Sequence, residues 1–144
     1  MVRIKERYLL VNILTPTHSG KQLSSDIPDV LIVHQPVPNS LTARSLLNGI
    51  RSQIISLFGD LGAGAIEGNA MVKYLSRATS TFILKVKRSH YRLVWAALTT
   101  MTHLTLSTGE QRSCAFQVAR VSGTIRKAEQ EAIRRARQLV LAAQ

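Results

Sequence analysis

Residues 70–88 read AMVKYLSRATSTFILKVKR. Two runs rich in strand-forming residues, Ala70 to Leu75 and Thr81 to Arg88, flank 76-SRATS-80, which has the length of a hairpin loop. Two strands in immediate succession at mid-chain restrict what can lie on either side. Upstream, Ser40 is a candidate N-cap. Ala43, Leu46, Leu47, Ile50, Ile54, Leu57 and Phe58 follow at helical spacing, and Gly59 supplies a stop. These signals predict a helix from about Leu41 to Phe58. Gly49 inside it weakens the helix by about 1 kcal/mol relative to Ala, and close packing against a neighbour is one reason to keep it. Residues 59–69, GDLGAGAIEGN, form a glycine-rich connection in which 60–67 has room for a helical turn.

Further upstream, Tyr8 to Leu14 is rich in β-formers and stops before Pro16, as a first strand should. Residues 15–39 carry all four prolines and read as a surface insertion, with 30-VLIV-33 a candidate edge strand. Downstream, Ser89 is placed to cap a second helix with the apolar stripe Tyr91, Val94, Trp95, Leu98 and Met101. A loop at 107–113 leads to a last strand, 114-CAFQVARV-121, and a terminal helix from near Ile125. The order β-α-β-β-α-β-α predicts an α+β, ferredoxin-like (RRM-like) sandwich plus a C-terminal basic amphipathic helix, as one domain over residues 1–144. Two helices cover one sheet face. The other face is bare unless the last helix crosses it.

That last helix places Ala132, Ile133, Ala136, Leu139, Val140 and Ala143 on one side and Arg126, Lys127, Arg134 and Arg137 on roughly the opposite one. The plain alternative is a solvated face laced by pairs such as Gln130 with Arg134 and Glu131 with Arg135. Charge favours a partner. Lys and Arg number 19 against 8 Asp and Glu, a formal charge of +11, and no acid occurs from Gly68 to Gly109. Such a balance suits a polyanion. A membrane anchor is a poor fit: no apolar run approaches spanning length, and the terminal helix has no Trp or Phe. The N-terminal apolar stretch is short, is interrupted by Asn12 and lacks a small-residue cleavage site, unlike a signal peptide.

Chemistry-bearing constellations are scarce. His18, His34, His90 and His103 have no metal-ligand spacing with Cys114, the single cysteine, which reads as a small buried hydrophobe. Asp60 and Glu67 are the acids near the glycine-rich stretch, and turn chemistry suits them better than a metal. The glycines follow a helix and end in no Gly-Lys-Thr, so they form no phosphate loop. Base stacking is poorly served, because the third strand offers only Phe82. Lys85 and Lys87 share one face of that strand, and Arg3, Lys5 and Arg7 recur at period two. This pattern suits phosphate contact, although edge protection also explains such lysines.

Four stretches resemble one family: 1-MVRIKERYLL-10, 57-LFGDLGA-63, 71-MVKYLSRATSTFILKVKR-88 and, most specifically, 120-RVSGTIRKAEQEAIRRA-136. The family is Pop-five, the small conserved protein subunit of ribonuclease P and ribonuclease MRP. The resemblance covers nearly the whole chain apart from the insertion, which is like that of the eukaryotic, especially fungal, form. It implies an RRM-like fold and no catalytic residue in this chain. It implies that a noncoding RNA performs the metal-dependent cleavage that removes the 5′ leader of precursor tRNA, with Mg2+ on that RNA and no cofactor on the protein. In MRP the target is precursor rRNA. Implied partners are the catalytic RNA, precursor tRNA indirectly, a second small ferredoxin-like subunit and a TIM-barrel-like subunit, in the nucleus and nucleolus. The expected RNA contacts are Arg3, Lys5, Arg7, Arg77, Lys85, Lys87, Arg88, Arg126, Lys127 and Arg134. Ser122, Gly123 and Thr124 are expected to shape the strand-to-helix junction, with Thr124 as cap. Gly59, Asp60 and Gly62 are assigned to protein contact or to shaping the fold. The competing reading is a basic protein-interaction module that docks an acidic protein without touching RNA.

Overall fold

The computed structural model describes residues 3–15 and 36–142. Most of the insertion at 15–39, the expected edge strand at 30–33 and Ala143 lie outside the described residues. Chain order is β1 (Glu6–Leu14), α1 (Ala43–Ile66), β2 (Met71–Ser76), β3 (Thr81–Lys87), α2 (Tyr91–Thr100), β4 (His103–Thr105), β5 (Gln111–Ser113), β6 (Ala115–Ser122) and α3 (Ile125–Ala142). The hairpin at the centre of the sequence is β2–β3, with Val72 opposite Leu84 and Leu75 opposite Phe82. The main sheet runs β2-β3-β1-β6 and every pairing in it is antiparallel. This is the ferredoxin-like α+β arrangement the sequence predicts.

Alternation along the central strands sorts their side chains onto two faces. Leu9, Val11 and Ile13 of β1 and Phe82, Leu84 and Val86 of β3 join the main core with Leu46, Ile50 and Ile54 of α1 and Val94, Ala97 and Leu98 of α2. Phe82 meets Phe116 edge-to-face at 6.0 Å. On the opposite face, Leu10 and Ile83 are buried beneath Ala128 of α3, with Tyr8, Ala119 and Ala132 packed around them. The last helix therefore crosses the second face, and small side chains let it lie close. Ala119 is the extra residue of a bulge: Arg120 pairs with Leu10 and Val118 with Val11.

Several boundaries differ from expectation, each for a local reason. The N-cap of α1 is Thr42, not Ser40. Thr42 and Ser45 form a capping box, with Thr42 Oγ1 accepting from Ser45 N at 3.1 Å and Ser45 Oγ accepting from Thr42 N at 3.1 Å. Leu41 precedes the helix and is buried. The helix also does not end at Phe58. Gly59 leaves helical geometry (φ 64°, ψ −150°), and helix resumes beyond it to Ile66. So Gly59 is a break rather than a stop, in a conformation open to glycine. Helix α2 starts after His90, which gives no side-chain cap, and Ser89 is not the cap. Trp95 lies outside the core, 41% exposed, while Ala97 is buried. The expected loop at 107–113 belongs to a hairpin, β4–β5, and His103 opens β4. Its strands are three residues each, and those of β5 are all exposed, so no apolar alternation announces them.

Helix α3 begins at Ile125 as expected, but its inner side is rotated. Ala128 and Glu131 are buried, whereas Ile133 and Val140 are exposed. The sequence-based stripe is displaced by roughly 60° at 100° per residue. It was centred on the apolar residues alone, without a place for a buried glutamate.

Candidate nucleic-acid interface

Strand direction gathers the basic residues. Glu6 opposes Lys87, Tyr8 opposes Lys85, and Tyr8 also opposes Ser122. The start of β1, the end of β3 and the end of β6 thus meet at one end of the sheet, where α3 also begins. That end carries Arg3, Lys5, Arg7, Lys85, Lys87 and Arg88, with Arg126 and Lys127 in the first turn of α3. Arg88 N donates to Lys5 O at 3.0 Å, which fixes the N-terminal arm beside the β3 exit. A hollow of 430 Å3 opens between that arm and the β6–α3 junction. It is lined by Arg3, Lys5, Arg7, Tyr8, Gly123 and Thr124 among others.

The junction is ordered by its own side chains. Thr124 Oγ1 accepts from Lys127 N at 3.4 Å, the position of a cap. Gly123 lies outside the left-handed region, so no bend requires it. A Cβ there would stand 3.7 Å from Arg7 Nη1, which places the guanidinium close against the glycine backbone. Ser122 is buried, and among the described residues its Oγ finds no hydrogen-bond partner. Arg126 and Lys127 are exposed in the first turn of α3, which holds no acid. Two cations there oppose the helix dipole, and a bound anion would offset both.

Among the expected contacts, Arg77, Lys85 and Arg134 engage other residues of the protein. Arg77 sits at the far end of the sheet, where its Nε donates to Leu41 O at 2.7 Å and its backbone carbonyl accepts from Val37 N at 3.0 Å. Lys85 shares a face with Lys87 but pairs with Glu6 at 3.1 Å. Arg134 pairs with Glu131 and not with Gln130. Gly59, Asp60 and Gly62 lie in the second half of α1, at and beyond its break. Gly62 is sterically required: a Cβ there would stand 2.7 Å from Phe58 Cβ and 2.8 Å from Ile54 Cγ2.

Glu131 is the feature the sequence reading undervalued. The expected Glu131–Arg135 pair exists, at 2.9 Å, within a larger cluster. Arg134 grips the same carboxylate through Nε at 3.0 Å and Nη2 at 2.6 Å, and Arg120 reaches it from β6 at 3.2 Å. The Arg134 hydrogen bonds above all, with those of Arg135 and Arg120, hold the carboxyl down from 4.5 to about 2 despite its burial. Arg120 could be found only through the bulged β1–β6 register, which sequence spacing does not reveal. Among the described residues no group of three or more His, Cys, Asp or Glu could hold a metal ion, and no helix is long and apolar enough to cross a membrane. Burial pushes the Cys114 thiol up to about 12, which leaves it un-ionised at neutral pH.

The family model described as the Rpp14/Pop5 family matches residues 7–133, from β1 into α3. The chain belongs to the Rpp14/Pop5 family. Among its curated relatives, ribonuclease P/MRP protein subunit POP5 of Schizosaccharomyces pombe is 42% identical over 135 residues, covering 94% of this chain and 88% of the relative. The Saccharomyces cerevisiae protein of the same name is 34% identical over 137 residues, covering 94% and 77%. A chain in the cryo-EM structure of yeast ribonuclease MRP overlays with a TM-score of 0.49 at 9% identity, covering 95% of this chain and 98% of that one. That likeness is too distant to add to the assignment. The family match includes Arg120 and Glu131 and ends just before Arg134 and Arg135.

Proposed function

We propose that this chain is a non-catalytic, RNA-binding protein subunit of ribonuclease P and ribonuclease MRP, and that its basic sheet end braces the catalytic RNA. The observation that carries the proposal is the convergence of the N-terminal arm, the β3 exit and the start of α3 into one cationic surface around an open hollow. Its family membership and the names of its relatives support the assembly. Phosphate neutralisation, rather than base stacking, is the binding mode: Phe82, the aromatic of the central strand β3, is fully buried. In this proposal the RNA carries the hydrolysis and its Mg2+, and the protein binds no cofactor of its own. The complex works on precursor tRNA and precursor rRNA in the nucleus and nucleolus.

The protein partners proposed are a second small ferredoxin-like subunit and a TIM-barrel-like subunit. Exposed Ile55, Leu57, Phe58 and Leu61 around the Gly59 break give apolar area for such contacts, with Leu61 84% exposed. The test is a tagged pull-down from native extract, with bound RNA sequenced and the eluate assayed on precursor tRNA. One structured noncoding RNA, with leader removal that depends on intact RNA, is expected. In the purified protein, Arg126→Ala with Lys127→Ala should weaken binding to ribonuclease P RNA about tenfold and flatten the salt dependence by one to two contacts, about 0.9 per phosphate. Recovery of proteins without RNA, or activity that survives ribonuclease, overturns the proposal in favour of a protein-docking module.

A further inference from the structure

A carboxylate is neutralised by one guanidinium, yet Glu131 holds three. The excess charge is not dispersed by burial. The Glu131 side chain is 6% exposed, while those of Arg120 and Arg134 are 49% and 54% exposed. The three cations therefore sit at the surface around a covered acid. Arg134 uses its Nε and one terminal nitrogen on Glu131, Arg120 uses one, and Arg135 divides its donors between Glu131 and Ala119 O at 3.2 Å. Each retains N–H donors for another acceptor. Like charges this close repel, so the arrangement favours a further anion.

We propose that Arg120, Arg134 and Arg135 form a preassembled site for a phosphodiester group of RNA, with Glu131 as its positioning residue. The proposal rests on the RNA-binding reading above and extends that surface from the sheet end along α3. One observation favours RNA phosphate over an isolated ion, and the donor chemistry suits phosphate. Lys127 lies one helical turn before Glu131 on the same side of α3, so the site continues the basic end without a break. Guanidinium groups present planar paired donors that match phosphate oxygens, and a carboxylate that fixes their planes lowers the ordering cost of binding. Glu131 remains ionised across the neutral range, so the site stays assembled there.

The sign of one substitution separates this proposal from plain charge attraction. Glu131→Gln adds a positive charge, so unorganised electrostatics makes it bind RNA more tightly. A positioning role makes it bind more weakly. The experiment measures affinity of the purified full chain for transcribed ribonuclease P RNA over a salt series. Wild type is compared with Glu131→Gln, Arg120→Ala/Arg134→Ala, Arg120→Lys/Arg134→Lys and Arg126→Ala/Lys127→Ala, all checked by thermal melting. Expected are about threefold weaker binding for Glu131→Gln and about tenfold for the double alanine variant, whose salt slope falls by about one. The double lysine variant keeps the charge but loses the paired donors, and should lose at least half of that tenfold on a logarithmic scale. It decides the matter if Glu131→Gln does not fold. Unchanged or tighter binding by Glu131→Gln, or full affinity in the double lysine variant, overturns the proposal. If Arg126→Ala/Lys127→Ala weakens binding while the cluster variants do not, this site alone is refuted. If wild type shows no affinity for the RNA, both readings fall.

Discussion

The sheet face under α1 and α2 buries Leu9, Val11, Ile13, Phe82, Leu84 and Val86. The face under α3 buries Leu10 and Ile83 against Ala128 of that helix, then turns polar, with Lys85 paired to Glu6 and three arginines around Glu131. The same strands supply both faces, and alternate residues differ accordingly. One face excludes water over a broad area and supplies most of the driving force for folding. The other keeps α3 attached through small residues and an ionic clamp, and leaves cations over. From Tyr8 onward in β1, and along β3, the two faces are thus separable by residue parity, and the separation can be tested.

The largest expected effect is on the first face. Phe82→Ala removes a fully buried ring and its edge-to-face contact with Phe116, and should cost about 3–5 kcal/mol in urea denaturation. Leu10→Ala, fully buried on the second face, should cost about 2–3 kcal/mol, because its cavity lies under a single helix. Equal losses would break the contrast. An intermediate cost, about 1–3 kcal/mol, is expected for Gly62→Ala, since the new methyl meets Phe58 Cβ, which is fixed to its own backbone. Gly64→Ala, with nothing within 4 Å, is the matched control and should not destabilise.

Much of this was legible in the sequence. The hairpin at 70–88, the helical spacing before Gly59 and the start of α3 at Ile125 are local signals, and local signals survive folding. What was not legible depends on competing local signals or on pairings between distant residues. The capping box at Thr42 lies within the sequence, but Ser40 offered a competing cap two residues earlier. Gly59 carries the signal of a helix end, yet the chain resumes helix beyond it because Gly62 lets the second segment fold against Ile54 and Phe58. The basic residues at the strand ends were individually visible, and antiparallel register brings them together. That same register carries Arg77 to the far end of the sheet. Arg120 became part of a site only through the bulge beside Leu10 and the rotation of α3, neither of which has a sequence period.

The smallest expected effect, and the sharpest for the second face, is its response to acid. The Glu131 carboxyl titrates near 2 in the folded chain against an ordinary 4.5, so protons bind the unfolded chain first. The clamp's contribution is therefore complete above about pH 4.5 and is lost progressively as pH falls towards 2. Wild type and Glu131→Gln should differ in stability at pH 7 and converge through that window, as followed by thermal melting at stepped pH. The gap is modest because the arginines are half in water, where screening weakens ion pairs. Phe82→Ala, by contrast, should keep the same offset from wild type across the same range, since no proton enters its energetics. A Glu131→Gln gap that does not close would mean that the glutamate acts by packing. The second face would then be held by the same forces as the first, and the division of labour between the two would fail.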